Sequence, residues 1–120
     1  MEIDEAGFER ADGPGDLSVS DGTAMLVLSG EFDLSNAGQL RERLARDDVL
    51  QAGAVRVDLT GVTFLDSVIV GVIVAACKRV RAAGNSFSVI CDIRSTARSV
   101  FAIDGLLEYL QVEEPPVDPS

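Results

Sequence analysis

The sequence predicts an α/β domain: a mixed sheet of four to five strands, opened by an N-terminal β-hairpin and covered by helices, in the order β-β-α-β-α-β-α. Three observations predict it. Two runs of strand character, 17–20 and 23–28, flank Asp21-Gly22, a dipeptide suited to a tight hairpin turn. Strand-like and helix-like segments then alternate, and two β-α-β units imply parallel pairing through right-handed crossovers. Finally, 120 residues at 47% hydrophobic content suit one domain with one core.

Residues 1–15 carry Gly, Pro and acids. Beyond Met1 their only large apolar side chains are Ile3 and Phe8, so they read as a tail. Residues 17–20 alternate apolar and polar, as a half-buried strand does. Residues 23–28 are nearly all apolar, which suits a short strand buried on both faces. Ser35 or Asn36 then caps a helix over about 37–50. Ala37, Leu40 and Leu44 form its apolar stripe, and Arg41, Glu42, Arg43 and Arg46 fall outside it. Ala52-Gly53 breaks this helix, residues 55–59 form the next strand, and Thr60-Gly61 begins a loop.

The following stretch, FLDSVIVGVI from Phe64 to Ile73, is β-branched and suggests a strand by propensity. Its continuation argues otherwise. The run from 68 to 83 is long for a strand and ordinary for a helix, and it stops at Gly84-Asn85. Ser67 is a good N-cap, and Lys78, Arg79 and Arg81 lie near the far end, where the helix dipole favours cations. A buried helix is therefore expected. Residues 86–91 form a further strand. Ser95 or Thr96 caps a short helix carrying Ala97, Val100 and Phe101, and Gly105 ends it. Residues 106–112 form a short strand or helical turn, which closes a domain over 16–112. Residues 113–120 are an acidic, proline-rich tail.

Charge and absent residues narrow the function. The net charge of −10 repels phosphate backbones and anionic lipid, so neither nucleic acid nor a membrane surface is an expected partner. The acidic N-terminus is not a secretory signal. The longest unbroken apolar or glycine run, 68–77, falls well short of the roughly 20 residues that span a bilayer. A cytoplasmic protein is expected. Without histidine there is neither a Ser-His-Asp triad nor a histidine metal site. Cys77 and Cys91 form no C-x-x-C motif and read as core thiols. No glycine-rich phosphate loop is present, and no cofactor or enzymatic activity is expected.

Four segments carry a resemblance: SGEFDLSNA (29–37), VDLTGVTFLDS (57–67), GVIVAACKRVRAAG (71–84) and RSVFAIDGL (98–106). In this order and spacing they resemble the STAS domain (sulphate transporter and anti-sigma factor antagonist), over about 16–112. The resemblance implies an anti-sigma factor antagonist. Such a module binds an ATPase-fold serine kinase that otherwise holds a sigma factor, and phosphorylation by that kinase ejects it. The family pattern D-S-[ST]-G falls on Asp66-Ser67-Val68-Ile69. Ser67 takes the phosphoacceptor position, while Val68 and Ile69 replace the usual small residues. The candidate partner-binding residues are Asp33, Asp66 and Ser67, on the positions the resemblance marks, with Val68 and Ile69 beside them if they face outward. Some stressosome scaffold members also have D-S followed by bulky apolar residues, which gives a second, phosphorylation-independent reading. From the residues alone, Ser67 reads as an N-cap, and Asp66 and Asp33 as turn and loop acids. Val68, Ile69 and Val72 are a docking patch if they face outward and core if they face inward. A receiver-like phosphoaspartate domain centred on Asp58 is a further alternative, although the only lysine, Lys78, falls in a helix.

Overall fold

The computed structural model describes residues 2–3, 9–10, 16–92, 94–103 and 105–115. The elements in chain order are β1 (Glu2–Ile3), β2 (Glu9–Arg10), β3 (Asp16–Ser20), β4 (Thr23–Phe32), α1 (Ala37–Leu44), α2 (Asp47–Leu50), β5 (Ala54–Leu65), α3 (Ser67–Ala82), β6 (Ser86–Ile90), α4 (Thr96–Ile103) and β7 (Val112–Glu113). Every strand lies beside its predecessor in a single sheet. β1 to β4 pair antiparallel, and β4 to β7 pair parallel. The body of the sheet is β3–β6, with two-residue strands at its margins. This is the mixed α/β sheet that the pattern predicts. Apart from β1, β2 and residues 113–115, the segments read as tails lie outside the described residues.

The hairpin turn forms as its sequence dictates. Ser20 pairs with Thr23, and Asp21 (φ 52°) and Gly22 (φ 77°) both occupy the left-handed region that a two-residue turn of matching twist requires. Strand β4 is longer than expected, and it is not buried on both faces. Ala24, Leu26 and Leu28 point into the core, whereas Val27 on the reverse face is exposed. The core cluster unites this one face of β4 and β5 with Leu40, Ile69, Ile73, Val80 and Phe101 from the helices.

The helix expected over 37–50 is two helices. Arg46 is extended (ψ 145°), and its guanidinium clamps Asp48 through Nε (3.0 Å) and Nη2 (2.9 Å). Asp47 and Asp48 then suit the positive end of a new helix, α2. Arg43 is buried, despite lying outside the apolar stripe. Burial lowers its pKa, and the nearby Asp16 charge opposes that effect.

The largest departure is in β5. Thr60-Gly61 does not start a loop: the strand continues to Leu65. Val27 pairs with Asp58 but Ser29 with Gly61, and Gly30 with Val62 but Glu31 with Phe64, so β5 carries one extra residue at each of two bulges. Its buried positions run Val55, Val57, Leu59 and then Val62, Leu65. The spacing stretches from two to three as each bulge inserts one more outward residue. At the first bulge the Asp58 carboxylate accepts hydrogen bonds from the Thr60 amide (2.9 Å) and hydroxyl (2.7 Å). Asp58 therefore lies well inside a strand with its carboxylate engaged locally, and Lys78 is exposed on α3. The receiver-like reading loses its geometry.

The long β-branched run is helical, as its length and ends require. Gly84 (φ 86°) closes α3: its amide donates to Arg81 O (2.9 Å), and that of Asn85 to Val80 O (3.1 Å). Arg81 also stacks on the Tyr109 ring (5.1 Å to the centroid) and donates to Phe87 O (3.3 Å), tying the C-terminal segment to α3. Cys77 and Cys91 are free and buried. Burial pushes both thiols up, Cys91 to about 12.

Candidate functional site

Parallel pairing of β4 and β5 sets the site. Phe32 and Leu65, the last residues of the two strands, are register partners, and the Asp66 amide donates to Phe32 O (3.3 Å). The chain segments leaving both strands therefore start side by side. One carries Asp33, and the other carries Asp66 and Ser67. Carboxyl ends of adjacent parallel strands are where open α/β sheets present their sites.

The Asp33 segment is held by local bonds. Its Oδ1 accepts from the Ser35 hydroxyl (2.6 Å) and amide (2.8 Å), and these bonds hold the Asp33 carboxyl below its ordinary pKa. Asn36 does not cap α1 with its side chain. Its Oδ1 accepts from the Asp33 amide (2.9 Å), and its Nδ2 donates to Glu31 O (2.9 Å), closing the loop on itself.

At the start of α3 the cap is Asp66, not Ser67. Asp66 is extended (φ −102°, ψ 177°), and its Oδ1 accepts from the Ile69 amide (3.1 Å). Two neighbouring residues are both good caps, and the carboxylate takes the position. Ser67 becomes the first helical residue, exposed to solvent. Asp66→Ala is expected to cost about 1 kcal/mol of stability, read as a lower urea midpoint with unchanged slope.

The five residues expected to bind a partner separate. Asp33 and Asp66 are partly exposed, and Ser67 and Val68 are exposed. Ile69 is fully buried, and Val72 is buried beside it. The correction follows from helical geometry: with Ser67 and Val68 outward, the next two positions of the turn, Ile69 and Val70, face the core. Ile69 therefore packs in the core beneath Ser67 and Val68 and presents no exposed surface beside them. Sequence reasoning did not anticipate the exposure of Leu34 and Phe64. Both are exposed large apolar residues, at the loop after β4 and near the end of β5. Among the described residues no group of three or more His, Cys, Asp or Glu gathers to hold a metal ion.

Comparison with known proteins agrees with this architecture. A model of the STAS domain matches residues 16–118. An anti-sigma-B factor antagonist of Listeria monocytogenes is 28% identical over 88 residues, covering 73% of this chain and 76% of that protein. An anti-sigma factor antagonist structure from Mycobacterium paratuberculosis shares the fold with a TM-score of 0.73 at 23% identity, covering 87% of this chain and 86% of its own. The phosphorylated form of SpoIIAA, a Bacillus cell fate determinant, gives 0.67 at 20% identity, covering 85% and 91%. Among the described residues no helix is long and apolar enough to cross a membrane. STAS domain proteins are typically regulatory or scaffold modules without catalytic activity. With the family model matching residues 16–118, most of the sequence, the chain belongs to the STAS domain family.

Proposed function

We propose that the protein is an anti-sigma factor antagonist. In this reading it is a cytoplasmic binding module that sequesters an ATPase-fold, kinase-like anti-sigma factor and is released when that partner phosphorylates Ser67. The observation that carries the reading is the position of Ser67: exposed in the first turn of α3, with the cap supplied by Asp66. The names of the Listeria and Mycobacterium relatives support the antagonist role, and the phosphorylated form of SpoIIAA supports the switch.

The physics of the switch is local. The first turn of a helix has unpaired N–H groups and a positive dipole end, so a phosphate on Ser67 is tolerated by the fold. It adds roughly −1.5 to −2 charges beside Asp66 and near Asp33. A partner docked over this edge must desolvate or repel that charge, and the complex is lost without refolding.

The test uses the recombinant ATPase-fold anti-sigma kinases of the source organism, titrated by calorimetry. Ser67→Asp is expected to weaken binding at least about tenfold, while Ser67→Ala keeps wild-type affinity. Equal affinity of Ser67→Asp and wild type would count against the switch. A second reading, a phosphorylation-independent or stressosome-type scaffold, draws on the bulky exposed Val68 beside the serine. Incubation with the bound kinase and ATP, followed by intact-mass measurement and site mapping, separates the two. A phosphate on Ser67 excludes the scaffold, and an unmodified chain favours it.

A further inference from the structure

Three of the large apolar residues exposed among the described residues lie in the segments at the carboxyl end of the β4–β5 pair: Leu34 (74% exposed), Phe64 (46%) and Val68 (38%). Leu34 lies two residues past the end of β4, Phe64 one residue before the end of β5, and Val68 is the second residue of α3. Glu31 pairs with Phe64, and Phe32 with Leu65, so all three leave the same edge of the sheet as Ser67. Singly exposed apolar residues are ordinary, but a group beside a site marks a contact surface.

Carboxylates accompany them. Glu31 is exposed, and Asp33 and Asp66 are partly so. A second copy of this chain would bring the same acids face to face, and phosphate backbones or anionic lipid would meet them with like charge.

We infer that Leu34, Phe64 and Val68 form an apolar collar that anchors a protein partner whose contact face is apolar at its centre and basic at its rim. This inference rests on the antagonist reading and assigns the chemistry of recognition at that same site. It gives Val68 a role of its own. The family pattern has a small hydroxyl residue there, and in this chain the position supplies apolar contact to the partner. It also explains how one phosphate ejects the partner. Ser67 sits between Asp66 and Val68, so a dianion there must lose its water whenever the apolar collar is covered.

The test compares Leu34→Ser and Val68→Ser with wild type, against the recombinant ATPase-fold anti-sigma kinase of the source organism that wild type binds. Both residues are exposed, so melting temperatures should stay at the wild-type value, which is checked by circular dichroism. Each substitution is expected to weaken binding about tenfold, mainly through faster dissociation in surface plasmon resonance. If wild type binds and both variants bind equally well, the collar is overturned and the antagonist reading stands. If wild type binds none of these kinases, both fall.

Discussion

Ile69→Gly, which restores the residue of the family pattern, is expected to leave the protein unfolded or close to it. Ile69 is fully buried and belongs to the core cluster shared by the sheet and α3. Truncating such a side chain to alanine costs about 2–5 kcal/mol, because the lost transfer energy is joined by a cavity. Glycine inside a helix adds about 1 kcal/mol more. The sum, about 3–6 kcal/mol, is a large part of the roughly 5–15 kcal/mol that holds a domain together. Thermal melting should fall by about 10 °C or more. Ile69→Val, which removes one methylene, should lose only about 1 kcal/mol. Urea titration of both variants checks the expectation, and a loss below about 1 kcal/mol for the glycine variant would show that this position is not core. The small residue of the family pattern is thus one that this core no longer accommodates.

The second large effect is expected at Gly61, beside the first bulge of β5. A Cβ there would stand 3.0 Å from Ser29 Cβ, 3.3 Å from Leu28 O and 3.4 Å from Ser29 Cα. These atoms belong to the adjoining strand β4 or are fixed to its backbone, so they cannot swing aside as the tip of a long side chain would. Gly61→Val must therefore push β5 away from β4, at an expected cost of about 2–3 kcal/mol. Gly61→Ala should cost less. Chemical denaturation measures both. Strand separation here also disturbs the register that pairs Phe32 with Leu65 at the candidate site.

These two positions show where the sequence was legible and where it was not. The hairpin was readable because Asp21-Gly22 has few other uses between strand-like runs. The helical nature of α3 was readable against its own β propensity, because sixteen residues ending at a glycine leave little room for a strand. The bulges were hidden. Thr60-Gly61 carries a turn signal, and the interval from Leu59 to Val62 breaks the strand period, so a bulge and a loop look alike. Asp66 and Ser67 are both good caps, and only the backbone shows which of them accepts the amide. The site residues followed from family resemblance, but their exposure did not. Ile69 and Val68 are adjacent and apolar, and only the packing of α3 on the sheet sends one inward and the other out. The exposure of Leu34 and Phe64 was invisible because apolar side chains near strand ends are ordinary core candidates.

The sequential strand order also bears on how the domain comes into being. No strand has to be inserted between two already placed, and each parallel crossover closes a loop of only about twenty residues. Chain topology of this kind keeps the search for partners local, which favours rapid folding. It also permits growth from the N-terminal side as the polypeptide leaves the ribosome. β3, β4, β5 and α3 are complete by Ala82, so all the groups of the candidate site have been made before β6, α4 and β7. The last third of the chain then packs against a sheet and helix already made, with Arg81 on Tyr109 tying it to the far end of α3 from Ser67.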